Sequence, residues 1–118
     1  MLNFERLESL IISQNWMGLQ GLENLKDHFR LFKKLRVLKL ASCKLFLMPD
    51  RRTEILRDML GAVSETLEEL NLSENAMERT DFDLIMPVLA RMPRLRVLTC
   101  NVNRIWGPSV RSFLDLYL

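Results

Sequence analysis

The amino-acid sequence predicts an α/β fold of repeated strand and helix units, with a parallel sheet of about four strands along one side and helices along the other. Three observations carry this reading. One eleven-residue segment recurs four times, as LESLIISQNWM, LRVLKLASCKL, LEELNLSENAM and LRVLTCNVNRI, beginning at Leu7, Leu35, Leu67 and Leu95. Inside each copy the apolar residues alternate with a period of two, as on a half-buried strand, and between copies the period changes to three and four, as on one face of a helix. The copies begin 28, 32 and 28 residues apart, an interval typical of a repeat array.

Each strand segment follows the pattern L-x-x-L-x-L-x-x-N-x-L. The fourth place holds Leu10, Leu38, Leu70 and Leu98, and the sixth holds Ile12, Leu40, Leu72 and Cys100. The leucines of the fourth place are predicted to enter one continuous core, while Ile11, Lys39, Asn71 and Thr99 at the fifth place face outward. A slip of one residue would exchange the two sets. Asn15, Cys43, Asn75 and Asn103 occupy the ninth place. An amide there can satisfy backbone groups of a tight inner turn that would otherwise be buried without partners.

The helical halves recur at matching offsets from the opening leucines. Leu22, Leu25 and Phe29 share their offsets with Phe82, Ile85 and Leu89, and with Val110, Phe113 and Tyr117. In the second repeat the comparable trio, Leu56, Met59 and Val63, comes later, so that helix starts late and the extra residues fall in FLMPDRR, where Pro49 and Asp50 mark a turn and a helix start. Thr80 and Asp83 have the spacing of a capping-box pair, Pro93 follows the third helix, and Gly107-Pro108 opens the fourth. Pro87 is discordant. A proline deep in a helix costs about 3 kcal/mol, so the third helix is expected to be short, bent or started late.

Composition narrows the function classes. A chain of 118 residues accommodates one domain, and an apolar share of 48% with 27% charged residues is that of a globular chain. Seventeen basic and fifteen acidic residues leave a formal charge of +2, far from the concentrated positive field that neutralises a run of phosphates, so nucleic acid is not expected as a partner. Glu5 and Glu8 interrupt the N-terminal stretch where a signal peptide is apolar, and no long uncharged apolar run exists, so no membrane association is expected. Cys43 and Cys100 are far apart in sequence and outside any CxxC pattern, which fits a reducing cytosolic or nuclear setting and small buried groups. Asn71-Leu72-Ser73 matches a glycosylation sequon by its three residues and is read as structural.

The quoted segments, from Leu7 onward, resemble the leucine-rich repeat superfamily. The period near 28 residues, with cysteine in place of asparagine at Cys43, is similar to its ribonuclease-inhibitor-like class, which includes NACHT-type intracellular receptors and Ran GTPase-activating proteins. The resemblance implies one solenoid domain over residues 1–118, a horseshoe segment with its sheet on the concave side and its helices on the convex side. It also implies recognition of another protein through the concave face, here Ile11, Arg36, Lys39, Glu69, Asn71, Arg96 and Thr99. The chain begins just before its first strand segment and ends within its fourth helical one, with no polar cap. Further repeats or domains are therefore expected to flank it, and the isolated stack is expected to be only marginally stable.

Several features admit two readings. Glu8, Arg36, Glu68 and Arg96 form a column of alternating charge, read either as mutual neutralisation or as a charged recognition stripe. Trp16 and Trp106 flank strand-to-helix turns, where an indole covers the end of a core or anchors an interface. Outward Ile11, Val37 and Val97 point to a docking surface or to cover by another segment. His28 is read as a solvated helix residue in KDHFR, and no nucleophile motif, phosphate loop or metal-spaced carboxylate cluster accompanies it. The expected role is a protein-interaction module of a larger receptor or scaffold, with no catalysis, cofactor, metal or small-molecule substrate. The alternatives are a GTPase activator of the Ran type, with Arg51, Asn101 and Arg104 as scattered candidates, and the substrate-recognition segment of a ubiquitin ligase.

Overall fold

Short strands form where the period-two pattern falls: β1 (Ser9–Ile11), β2 (Val37–Lys39), β3 (Glu69–Asn71) and β4 (Val97–Thr99). The computed structural model describes residues 4–14, 19–43, 45 and 52–100. Three helices of eleven residues connect the strands, α1 (Leu19–Phe29), α2 (Arg52–Ala62) and α3 (Arg79–Leu89). Each crossover carries a helix, so each strand returns in the direction of the one before, and the sheet is parallel in the order β1-β2-β3-β4. A single 3₁₀ turn, Phe4–Arg6, precedes β1.

The register sets the two faces. Leu10, Leu38, Leu70 and Leu98 stand opposite one another in one row, and Ile11, Lys39, Asn71 and Thr99 in the next. Leu38 and Leu70, on the inner strands, are fully buried, while Leu10 and Leu98, on the outer ones, pack partly buried against the same core. Lys39 and Asn71 stay half-exposed on the opposite face, as the alternation of a pleated strand requires.

Behind the sheet, α1 packs on α2 and α2 on α3. Their inward residues are those at the shared offsets: Leu22 and Phe29 of α1 and Phe82, Ile85 and Leu89 of α3 are buried, with Leu25 partly so. Leu56 and Met59 of α2, with Val63 just beyond it, supply the corresponding apolar face. Helices α1 and α3 begin twelve residues after Leu7 and Leu67, whereas α2 begins seventeen after Leu35. The longer interval is thus absorbed ahead of α2, leaving the strands in register. Pro49, Asp50, Gly107, Pro108, Val110, Phe113 and Tyr117 lie outside the described residues.

Two expectations for α3 need correction. Of the three effects expected of Pro87, shortening and a late start are excluded: α3 has the same length as α1 and opens at the same offset. Pro87 falls in the last turn and its ring is exposed, so the lost N–H removes only one bond near an end that frays in any case. The N-cap is Glu78 and not Thr80, and the side chain that closes the first turn is Asp81 and not Asp83. Asp81 Oδ2 accepts from the Glu78 N–H at 3.0 Å, and its Oδ1 accepts from the Thr53 hydroxyl at 2.8 Å. A tie between the starts of α2 and α3 is what Asp81 offers and Asp83, exposed one residue beyond Phe82, does not.

The turns that follow β1, β2 and β3 reverse alike. Gln14, Ser42 and Glu74, all at the eighth place, adopt left-handed backbone at φ 65°, 60° and 57°, a conformation that disfavours any residue with a Cβ by roughly 1–2 kcal/mol. Neighbouring turns hold it: the Gln14 N–H donates to the Ala41 carbonyl at 2.8 Å and the Ser42 N–H to the Ser73 carbonyl at 2.9 Å. At the ninth place the fully buried Asn75 shares its Nδ2 hydrogens among the carbonyls of Leu40 (2.9 Å), Leu72 (3.0 Å) and Ser73 (3.1 Å). Its Oδ1 accepts from the backbone N–H of Cys43 at 2.8 Å and of Leu45 at 3.3 Å.

Cys43, also fully buried, reproduces half of this. Its thiol donates to the carbonyl of Ile12 at 3.2 Å and of Ala41 at 3.6 Å. Those carbonyls occupy the same places, sixth in the preceding segment and seventh in its own, as the Leu40 and Ser73 carbonyls bound by Asn75. Cysteine thus keeps the donor of the ninth place without the amide's acceptor. Asn15 and Asn103 lie outside the described residues.

Two outcomes in urea denaturation check this account. Leu38→Ala is expected to destabilise the chain by about 3 kcal/mol through lost burial and a residual cavity, while Lys39→Ala, one residue on but on the outward face, changes stability by less than about 0.5 kcal/mol. At the ninth place the expected order of damage is Asn75→Cys, then Asn75→Ala, then Asn75→Asp. Cysteine keeps a donor, alanine leaves several buried backbone groups unpaired at about 1–3 kcal/mol each, and aspartate adds a buried charge that repels the Leu40 carbonyl.

Candidate functional site

The outward face of the sheet is assembled by bonds that precede each strand. The backbone N–H groups of Arg36 and Val37 both donate to the Glu8 carbonyl, at 2.8 and 3.0 Å. Glu68 and Glu69 repeat this on Arg36, at 2.8 and 2.9 Å, and Arg96 and Val97 on Glu68, at 2.9 and 3.1 Å. The second-place side chains therefore stand side by side across all four segments, at the edge of rows formed by Ser9, Val37, Glu69 and Val97 and by Ile11, Lys39, Asn71 and Thr99.

Those second-place charges join into a continuous chain. Arg36 Nη1 lies 3.3 Å from Glu8 Oε1 and Arg36 Nε donates to Glu68 Oε2 at 2.7 Å, while Arg96 Nε sits 3.3 Å from Glu68 Oε1 and its Nη2 3.9 Å from Glu69 Oε1. Glu68 is the hub, with its side chain 21% exposed and a guanidinium on either side. The hydrogen bond from Arg36 holds its carboxyl below the ordinary carboxylate range, and the same contact raises the Arg36 guanidinium. Of the two readings of this column, the geometry supports mutual neutralisation. Arg36 and Arg96 remain exposed but are engaged as charges.

The other candidates are gathered on one surface. Ile11 is 62% exposed and Val97 41%, so the face carries apolar groups at both ends. Lys39, half-exposed between Ile11 and Asn71, has no ion-pair partner among the described residues. Asn71 turns its Oδ1 to the Ser73 N–H at 3.0 Å, which gives the sequon asparagine a local structural role. Thr99 completes the row on β4. Toward the turn side, the Ser42 hydroxyl donates to the Glu74 carboxylate.

Other sequence candidates fall away from this face. His28 is exposed on α1, its Nδ1–H directed to the Asn24 carbonyl at 2.8 Å and its ring edge-on to Phe4 at 5.6 Å. Burial pushes the Cys100 thiol up to about 11, so it is protonated at neutral pH. Trp16, Trp106, Arg51, Asn101 and Arg104 lie outside the described residues. Among the described residues no three metal-ligating side chains are grouped, and no helix is long and apolar enough to cross a membrane.

Sequence reasoning missed a groove beside the ion-pair chain. Its floor includes Glu8, Arg36 and Glu68, and its walls come from the three helix-to-strand loops, with Lys33 and Lys34 on one side, Glu65 and Thr66 in the middle and Arg94 on the other. A signal was present: Lys34, Thr66 and Arg94 each directly precede an opening leucine. Their shared place implies that they line up across the sheet.

Lowering the pH separates the ion-pair chain from a merely decorative column. Glu68 has a folded pKa below its unfolded value, so its contribution is complete above the ordinary glutamate range of about 4.3 and is lost as pH falls through the lower folded value. In the double variant Arg36→Glu with Arg96→Glu, four adjacent carboxylates repel at neutral pH and are relieved as they protonate. Thermal melts are expected to show the wild-type midpoint falling only as pH drops below about 4.3, and the variant midpoint, lower at pH 7, rising as pH is lowered toward that value. Comparison with known proteins finds no matching family model and no matching curated protein.

Proposed function

We propose that this chain is a segment of a leucine-rich repeat solenoid that binds another protein through the outward face of its sheet, the concave side in such an architecture, and carries out no chemistry of its own. One observation carries the reading. The register aligns Ile11, Lys39, Asn71 and Thr99 in a single row, opposite the buried leucines and uncovered by any described element, with exposed Ile11 and Val97 at its margins. An open surface with apolar groups, a cation without an ion-pair partner among the described residues and a neutralised charged border suits a protein partner, whose own side chains can match each of these. The repeated turn bonds of Asn75 and Cys43, and the packing of each described helix on the next one in sequence, support the solenoid.

The described face is small. Three inter-strand gaps of about 4.8 Å and strands of a few residues at about 3.3 Å each give at most a few hundred Å², against about 800 Å² per partner in a standard interface. This segment therefore supplies part of a binding site, most simply within a larger intracellular receptor or scaffold. Lys39→Glu with Val97→Asp is the informative face variant, because neither residue belongs to the ion-pair chain. With a partner captured by the wild-type chain, the expected result is loss of binding in this variant and retention by Lys26→Glu with Arg30→Glu on α1 and its end, both checked for wild-type folding by circular dichroism. Loss in the α1 variant with retention in the face variant would place the binding surface on the helical side.

A further inference from the structure

The groove between the helix-to-strand loops has a volume of about 580 Å³ and lies outside the sheet face. Its charge does not cancel. Glu8 and Glu68 on its floor are engaged by Arg36, and Glu68 also by Arg96. Lys33, Lys34 and Arg94, all exposed, have no ion-pair partner among the described residues and face the single carboxylate of Glu65. The cations belong to the loops before β2 and β4, so they flank the Glu65–Thr66 loop across two strand spacings of about 4.8 Å, or about 10 Å in all. The Thr66 hydroxyl gives its hydrogen to the Val63 carbonyl at 3.5 Å and presents its lone pairs to an incoming donor.

We infer that this groove binds an acidic peptide segment of a partner protein, with two carboxylates three residues apart on Lys33/Lys34 and Arg94 and a hydrogen-bond donor between them over Glu65 and Thr66. A chain in the polyproline II conformation has three residues per turn and advances about 3.1 Å per residue, so acidic side chains at positions i and i+3 lie on one face and span about 9 Å, close to the separation of the cations. The central Glu65 sets the class of ligand. A nucleic-acid backbone would bring a phosphate against it, and among the described residues the groove lining includes no aromatic ring on which a base could stack. A peptide can place a backbone N–H or a serine hydroxyl there instead. The site is separate from the sheet-face reading and stands or falls independently of it.

The test is a nuclear magnetic resonance titration of the full, isotope-labelled chain with the acetylated and amidated hexapeptide GESGEG, its glutamine counterpart GQSGQG, and an oligothymidylate of equal charge. GESGEG is expected to shift the backbone amides of Lys33, Lys34, Thr66 and Arg94 and to bind about tenfold more tightly than GQSGQG, the factor contributed by two exposed ion pairs. Lys34→Gln with Arg94→Gln should reduce GESGEG to the level of GQSGQG, with Lys26→Gln on α1 behaving as wild type. Equal binding of the two peptides, tighter binding of the oligothymidylate, or shifts confined to Lys39, Asn71 and Thr99 would overturn the assignment. Should the double variant fail to fold, the comparison of the two peptides on the wild-type chain decides.

Discussion

At the turns after β2 and β3, the side chain at the ninth place reaches back to a carbonyl at the sixth place of the preceding segment, and the sheet depends on that reach. Asn75 makes the bond to Leu40 with its amide and Cys43 makes it to Ile12 with its thiol. A strand of three residues offers few ladder bonds, so the chain must reverse at the same point in every segment for the next strand to arrive in register. Left-handed backbone at Gln14, Ser42 and Glu74 makes the reversal, and carbonyls of the next segment accept the N–H groups of Gln14 and Ser42. Buried backbone groups that miss their partners cost more than the bonds gain, which explains why a buried amide with five backbone contacts is placed where an apolar residue would otherwise suffice.

Register then dictates which chemistry is available to a partner. With Leu38 and Leu70 inside, Lys39 and Asn71 are outside by the geometry of the pleat, and the residue two before each buried leucine falls into a column at the sheet margin. Alternation of sign down that column lets Glu8, Arg36, Glu68 and Arg96 pair without any side chain crossing the face. The margin is thereby quieted as a field, and among the described residues the unmatched charge is left at Lys39 on the face and at Lys33, Lys34 and Arg94 in the loops beside it.

The helical side is held less strictly. Helix α2 begins five residues later than its counterparts relative to the opening leucine, yet Leu56, Met59 and Val63 still reach the core and β3 pairs with β2 in the same register as every other pair. Extra residues are tolerated there because closing a longer loop adds little entropy, whereas one extra residue inside a strand segment would turn every leucine outward. Pro87 is accommodated for a related reason, standing in the exposed last turn of α3 where a missing donor leaves nothing buried unpaired.

By itself the sequence determined the α/β alternation, the four strands, the rows of buried leucines and outward residues, and the ninth-place amide bond at Asn75. These follow from periodicity and from the obligatory pairing of buried backbone groups, which act over a few residues and repeat. The thiol bond of Cys43 came with the structure. The charge column was legible as a column, but only the tertiary structure decided that Glu68 takes both arginines, since that depends on side-chain reach across strands about 30 residues apart. Likewise Thr80–Asp83 and Glu78–Asp81 have the same spacing in the sequence, and the choice between them came with Thr53, 28 residues away, whose hydroxyl donates to Asp81. The groove of Lys33, Lys34, Glu65, Thr66 and Arg94 exists only once three loops lie side by side, because each loop alone contributes no more than two of its polar walls.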